Sequence, residues 1–324
     1  MVDYVVEVVS MAELRFSIVV ACYNQQGFVR EAVESALSQK HPSMQVIVVD
    51  DGSRDGTADV LSTFGASIIS ARLPINRGPD AARNHGASLA RGEYLVFLDG
   101  DDILMPWTLQ VYERLIAAES PKIILGQRFW FQGEVPRATA EDVPGKIDFV
   151  KFACWFQKDR TVDFGASSLV VHRQTFWDAG GWSLGIFHMD MPDLMLKLGL
   201  SGRVLVILAP ITVLYRIHSS NVTHAVTGML RCAHVLLKKE RAGKYPGGRK
   251  YLFARSTCLG GPMLSWILIA MRKGLFLEPI KLAGSGWFTI VSAIVRRVLV
   301  LCRGRRPVQS VGLLQGYGIN IRTE

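Results

Sequence analysis

The chain is short of paired cysteines, of long uncharged runs and, towards its end, of acidic residues. Five cysteines (Cys22, Cys154, Cys232, Cys258 and Cys302) are scattered over 324 residues with no C-x-x-C pair. That spacing argues against a disulfide framework or a zinc site and for reduced thiols in a cytosolic setting. The longest stretch without a charge, 256–271, has 16 residues and is interrupted by Gly260-Gly261-Pro262. The next candidate span, 282–295, has 14 residues and ends at Arg296 and Arg297. Both fall short of the roughly 20 apolar residues of a spanning helix. Asp3 and Glu7 stand where a signal peptide would carry positive charge, so secretion is not expected.

What is present is a globular composition, 49% hydrophobic and 20% charged, which excludes a disordered chain. The formal charge of +9 is unevenly spread. Residues 1–227 hold 20 basic and 25 acidic side chains, whereas residues 228–324 hold 17 basic and only 3 acidic. A basic surface of this kind attracts nucleic acid, an anionic membrane or an acidic ligand.

Apolar runs at 16–21, 45–49, 66–70 and 94–98 read as buried strands, and 27–39, 56–63 and 78–90 carry apolar residues at helical spacing. Strands alternating with helices predict an α/β protein with a mainly parallel, Rossmann-like sheet flanked by helices. In such sheets ligands sit beyond the carboxyl ends of the strands. Those ends are polar here: Cys22-Tyr23-Asn24-Gln25-Gln26-Gly27, then Asp50-Asp51-Gly52-Ser53, then Asp99-Gly100-Asp101-Asp102. No G-x-G-x-x-G or glycine-rich basic loop follows the first strand, which disfavours a dehydrogenase or a sugar-nucleotidyltransferase.

Adjacent carboxylates on a tight turn repel one another unless a cation offsets them. Asp99-x-Asp101 therefore suggests a divalent-cation site, Mg2+ or Mn2+ with phosphate oxygens completing the shell. The alternative is an acidic turn in which Asp101 or Asp102 caps the helix beginning near Pro106. Asp50-Asp51-Gly52-Ser53 has its own alternative, a turn with Gly52 at positive φ and Ser53 or Asp55 capping the next helix.

SIVVACYN, VIVVDDGSRDGT, NRGPDAARNHG and GEYLVFLDGDDILMP together resemble the nucleotide-binding half of the inverting family 2 glycosyltransferases over about residues 16–106, with weaker similarity to about 222. The resemblance implies a GT-A fold, a nucleotide-diphospho-sugar donor and a divalent cation. It sets Ala21 and Tyr23 against the nucleotide, with Asp51 accepting a hydrogen bond from the base, most often uracil. Arg83 would contact the nucleotide or its phosphates, Asp99 the ribose or the surroundings of the metal, and Asp101 the cation itself. Asp102 is given a supporting role.

The family's general base lies in a Glu-Asp pair before a helix. Here Gly180-Gly181-Trp182 is followed by His188-Met189-Asp190-Met191-Pro192-Asp193, which puts Asp190 at the Glu and Met191 at the base. Asp190 is the candidate base, with a helix cap as its alternative, and Asp193 is a weaker candidate. Met191 also motivates the rival reading of a non-catalytic nucleotide-sugar-binding or assembly protein. Tyr215-Arg216-Ile217-His218 resembles a further family segment, in which His218 would reach the metal or diphosphate and Arg216 would pair with an acidic loop.

Within 284–302, Trp287, Ile290, Val291, Ile294, Val298 and Leu301 recur at helical spacing, with Ser292, Arg296 and Arg297 on or near the other side. A basic helix with a broad apolar face suits a membrane interface; packing on the domain is the alternative. Nucleic acid is not expected, because the basic region has no binding motif. The divisions expected are 1–126 for the nucleotide-sugar side, 127–227 for the acceptor side, and 228–324 for a helical, basic and apolar extension. The expected activity is metal-dependent inverting transfer from a UDP-sugar to a hydroxyl of a lipid-linked or polysaccharide acceptor, at the cytoplasmic face of the cell membrane.

Overall fold

The computed structural model describes residues 14–39, 41–136, 146–158, 164–186, 188–218 and 226–302. Most of the 132–146 loop, the Asn221-Val222-Thr223 sequon and the Arg303-x-Arg305-Arg306 cluster lie outside the described residues.

The first four strands, β1 (Phe16–Cys22), β2 (Met44–Asp50), β3 (Ile69–Arg72) and β4 (Tyr94–Asp99), form the order β3-β2-β1-β4, all parallel. The third starts later than its apolar run suggests, because Gly65–Ser67 form a 3-10 turn. Side chains alternate between two cores, as the strand period requires. Val19, Ala21, Ile47, Val49, Leu95 and Phe97 face one, while Ile18, Val20, Val46, Val48, Val96 and Leu98 face the other. Helix α1 (Val29–Leu37) buries Val29, Ala32, Val33 and Ala36, one stripe at helical spacing. Helices α2 (Thr57–Ser62) and α3 (Pro79–Leu89) complete the crossovers.

The second half of the sheet is mixed. Strand β5 (Ile103–Leu104), helix α4 (Thr108–Glu119), and strands β6 (Ile123–Phe131), β7 (Asp148–Phe152), β8 (Leu169–His172) and β9 (Val204–Arg216) extend the order to β3-β2-β1-β4-β8-β6-β9-β5, with β7 paired to β9. β8 is antiparallel to both β4 and β6, and β9 is parallel to β6. Helices α5 (Arg173–Asp178) and α6 (Asp190–Lys197) follow β8.

The C-terminal region comprises α7 (Val226–Arg241), α8 (Leu252–Arg272) and α9 (Leu277–Cys302). Gly260-Gly261-Pro262 does not break α8, contrary to the sequence expectation. Gly260 is instead where α9 crosses closely: a Cβ there would lie 2.2 Å from the Thr289 carbonyl oxygen. The run Gly248–Arg272 is the one helix among the described residues long and apolar enough to cross a membrane by length and composition, and 39% of its apolar window is buried in protein.

The apolar stripe of α9 faces outward, and its polar side packs inward on α8. Thr289 and Ser292 are buried, and Arg296 donates to Thr257 Oγ1 on α8 at 3.0 Å. Trp287, Val291, Ile294 and Val298 are exposed by 63%, 46%, 46% and 51%, whereas Ile290 packs on the core. Small residues at the crossing draw the polar side of α9 inward, because only they permit the close approach. The side chains of Arg297 and Leu301 lie outside the described residues.

Candidate functional site

Three strand ends meet at one edge of the sheet. Ala21 is in register with Val49 on β2 and with Asp99 on β4, so the chain leaves all three strands at the same level. Gly100 makes the junction possible. A Cβ at that position would lie 2.3 Å from Gln25 Oε1 and 2.6 Å from Cys22 Cβ, so any larger residue would separate β1 from β4.

Around this edge lie most of the residues singled out in the sequence. Ala21 is buried and Tyr23 is exposed beside it. Asp51 is buried, and its Oδ1 accepts from the Arg77 backbone N–H at 2.9 Å. Burial raises its carboxyl above the usual range, with the Arg77 and Gly78 backbone N–H groups opposing. The turn alternative also holds in part: Gly52 has φ 74°, and the Thr57 N–H at the start of α2 donates to Asp55 Oδ1 at 3.0 Å. Ser53 does not cap; its N–H donates to Asp50 Oδ1 at 2.8 Å.

Arg83 is the hub. Nη2 donates to Asp99 Oδ1 at 2.7 Å, and Nη1 donates to Asp190 Oδ2 at 2.7 Å and lies 3.4 Å from Asp80 Oδ1. Burial alone would lower its pKa, but Asp99, Asp190 and Asp80 outweigh burial and hold the guanidinium charged. The indole of Trp182 lies under it, 4.9 Å from ring centroid to guanidinium carbon. Asn84, the next residue of α3, clips that tryptophan: Nδ2 donates to the Trp182 carbonyl at 2.8 Å and Oδ1 accepts from its N–H at 2.9 Å. The turn requires Gly181, which has φ 61° and whose Cβ would meet Asn84 Oδ1 at 2.7 Å.

Asp190 is the first residue of α6, and its carboxylate turns to Arg83 rather than capping the helix. Met191 is buried in the core. Asp193 is also withdrawn from the cleft. It is fully buried and accepts from Lys239 Nζ (2.7 Å), Tyr245 Oη (2.7 Å) and Ser183 Oγ (2.6 Å). Burial would raise its carboxyl, but these donors hold it below the usual range.

Asp101 and His218 come together from positions 117 residues apart. His218 follows β9, its Nε2 lies 2.8 Å from Asp101 Oδ2, and its ring stacks on Phe28 at 4.8 Å. Asp102, in contrast, is buried, accepting from Ser167 Oγ and, at 3.0 Å, from the Arg216 backbone N–H. Burial, then the charges of Asp101 and Asp99, push its carboxyl well up. Neither Asp101 nor Asp102 caps α4, whose N-cap is Trp107. Arg216 pairs with Glu31 on α1 and also donates to the Asp101 carbonyl at 3.0 Å; most of the acidic 132–146 loop lies outside the described residues. Asp80, Asn84 and Ser167 were not singled out; only the position of Asp80 and Asn84 beside Arg83 hinted at them.

Among the described residues no three His, Cys, Asp or Glu side chains converge to hold a metal. The chain offers two donors, the Asp101 carboxylate and the His218 imidazole. A carboxylate with one imidazole suits Mn2+ or Mg2+ where phosphate and water fill the remaining positions.

The family model for glycosyl transferase family 2 matches residues 17–176. These residues form a family 2 glycosyltransferase domain. One relative is the Escherichia coli UDP-Glc:alpha-D-GlcNAc-diphosphoundecaprenol beta-1,3-glucosyltransferase WfaP, 34% identical over 108 residues that cover 33% of this chain and 42% of that protein. The chain spans only 27% to 42% of the lengths of such curated relatives. Among solved structures, S. aureus TarS residues 1–349 in complex with UDP-GlcNAc superposes with TM-score 0.61 and 15% identity, over 90% of this chain and 93% of that one. The mannosyltransferase PcManGT from Pyrobaculum calidifontis, solved with GDP-Man and Mn2+, gives TM-score 0.50 and 16% identity over 91% and 89%. These likenesses establish the GT-A fold.

Proposed function

We propose that the chain is a metal-dependent inverting glycosyltransferase that moves a sugar from a UDP-linked donor to a hydroxyl of a lipid-linked or polysaccharide acceptor. The observation that carries this reading is the convergence of Asp51, Arg83, Asp99, Asp101 and Asp190 on one sheet edge within a family 2 domain. Ala21, Tyr23 and Asp51 would hold the nucleoside, with Asp51 accepting from the base. Asp99 would meet the ribose. Asp101 and His218 would hold the cation, which when bound offsets negative charge on the diphosphate.

Asp190 would accept the proton. The acceptor O–H bond breaks as its oxygen bonds the anomeric carbon, the bond from that carbon to the diphosphate breaks, and its electron pair leaves with the nucleotide. Arg83 fixes the position of the Asp190 carboxylate through its 2.7 Å hydrogen bond, and as a guanidinium it would also suit the anionic oxygens of a diphosphate. The acceptor class is supported by the activity of the relative WfaP and the character of the C-terminal helices. The boundaries 126 and 227 would separate donor side, acceptor side and extension.

The extension would lie on the cytoplasmic face of the cell membrane. The stripe Trp287, Val291, Ile294 and Val298 on α9 is exposed, as are the basic residues Arg272, Lys273 and Lys281 at and after the α8–α9 turn. An apolar face beside basic groups fits anionic headgroups over acyl chains.

A thermal-shift screen of nucleotide sugars with Mn2+ tests the donor site. UDP-sugars with metal should raise the melting temperature of the native chain, and Asp101→Ala should abolish the metal-dependent part. An unchanged response in that variant sinks the metal assignment.

A further inference from the structure

Asp80 has no part in the chemistry above, yet it is built into the same hub. It is the second residue of α3, only 2% of it is exposed, and no donor group reaches its Oδ2. Its other oxygen faces the same Arg83 nitrogen that bonds Asp190. One guanidinium thus serves three carboxyl groups, those of Asp80, Asp99 and Asp190.

Three ionised carboxylates around one buried cation leave two negative charges uncompensated, which burial penalises heavily. The least costly arrangement keeps one carboxyl protonated, and the geometry selects which. Asp99 and Asp190 each have a 2.7 Å bond to Arg83, and their side chains retain 27% and 14% exposure. Asp80 has the longest contact, the least exposure and the orphan oxygen. Its other charged or titratable neighbours do not alter the choice. Asp193 on α6 adds negative charge but is itself bonded by Lys239; Lys197, also on α6, is bonded to Gly181 and Ser183; Cys232 on α7 is a buried thiol.

We propose that Asp80 carries a resident proton and donates it in a hydrogen bond to Asp190, so that the two carboxyls share a single negative charge. The inference rests on the reading of Asp190 as proton acceptor. It supplies from α3 a second carboxyl that α6 lacks, since Met191 is apolar and buried. Asp80 is then a positioning residue. With its proton in place, the hub of Arg83, Asp99 and Asp190 has one excess negative charge, and uptake of the acceptor proton by Asp190 brings it to neutrality. The environment agrees: burial first, then the Asp190 charge, pushes the Asp80 carboxyl up to about 8, with Arg83 opposing and the hydrogen bond to Asp190 adding to the rise.

The test replaces the protonated carboxyl by a neutral isostere, Asp80→Asn, in the full chain. A carboxyl whose folded pKa exceeds its unfolded value of about 3.9 makes the native state bind the extra proton between the two values. The native chain should therefore lose stability relative to Asp80→Asn as pH rises from about 4 towards 8, with a constant difference beyond that. Melting temperatures of both proteins across that range read this directly, without sugar or acceptor. A difference that does not vary with pH overturns the proposal and leaves the donor assignment standing. Carboxyl-13C NMR of the aspartate-labelled native chain gives a second measurement, with Asp80→Ser identifying the resonance. A midpoint near 8 is expected, and one below about 5 overturns the proposal. In UDP release from UDP-sugars, Asp80→Ala should lower kcat about tenfold with donor KM unchanged, and Asp80→Asn should recover most of that loss. Equal losses in the two variants also overturn it.

Discussion

Asp193→Asn isolates the bond between the catalytic half and the C-terminal helices. Asp193 sits on α6 three residues from Asp190, and Lys239 and Tyr245 reach it from α7 and the segment just beyond. The substitution keeps the shape and removes the charge. Breaking a buried, hydrogen-bonded ion pair costs about 3–5 kcal/mol. Lys239 keeps 27% side-chain exposure and can turn to water, which favours the lower end, about 3 kcal/mol. For a chain of this size that is about 6 °C in melting temperature, taking roughly 2 °C per kcal/mol. The pH dependence has a definite sign. The folded pKa of Asp193 is depressed, so its stabilisation is present above the unfolded value of about 3.9 and is lost as pH falls through the lower, folded value. Heat denaturation of both proteins from about pH 8 down to pH 3 should show a constant gap to about pH 5 that closes in acid. An Asn variant that melts with the native chain at neutral pH refutes the reasoning, as does a gap that survives unchanged in acid.

Two further outcomes follow from the same geometry. Arg83→Lys leaves one ammonium to serve carboxyls that a planar fork now bridges, so UDP affinity measured by calorimetry should fall about tenfold or more, and wild-type affinity would count against the hub. Val291→Asp with Ile294→Asp on the exposed side of α9 should abolish sedimentation with anionic liposomes without changing the melting temperature; undiminished sedimentation would place the contact elsewhere.

The donor half was legible because its polar residues directly follow buried strands, where a parallel sheet gathers ligands. Strand and helix positions to about residue 99 therefore match the sequence reading, apart from the late start of β3; the short β5 was not read. The C-terminal helices were harder. Gly260-Gly261-Pro262 has the composition of a break, yet packing against α9 needs a residue without Cβ at Gly260, and that tertiary demand overrides local propensity. The same close crossing turns the polar side of α9, Thr289 and Ser292, inward, which the helical spacing alone does not reveal. Asp190 was singled out by its motif and meets Arg83, but Asp80, which faces the same guanidinium, lies 110 positions earlier and stands where an acidic residue needs no explanation beyond the helix dipole. The Asp193–Lys239 bond likewise joins residues 46 positions apart on different helices, and no local pattern announces it.

The most direct test of the central claim is release of UDP from UDP-sugars by the purified chain with membrane lipid extract, in Mn2+ and in chelator, for the native protein and Asp101→Ala. Metal-dependent release with transfer of labelled sugar to the lipid fraction, lost in chelator and in the variant, is the predicted result. Tight UDP binding with manganese but no turnover of any UDP-sugar would contradict it.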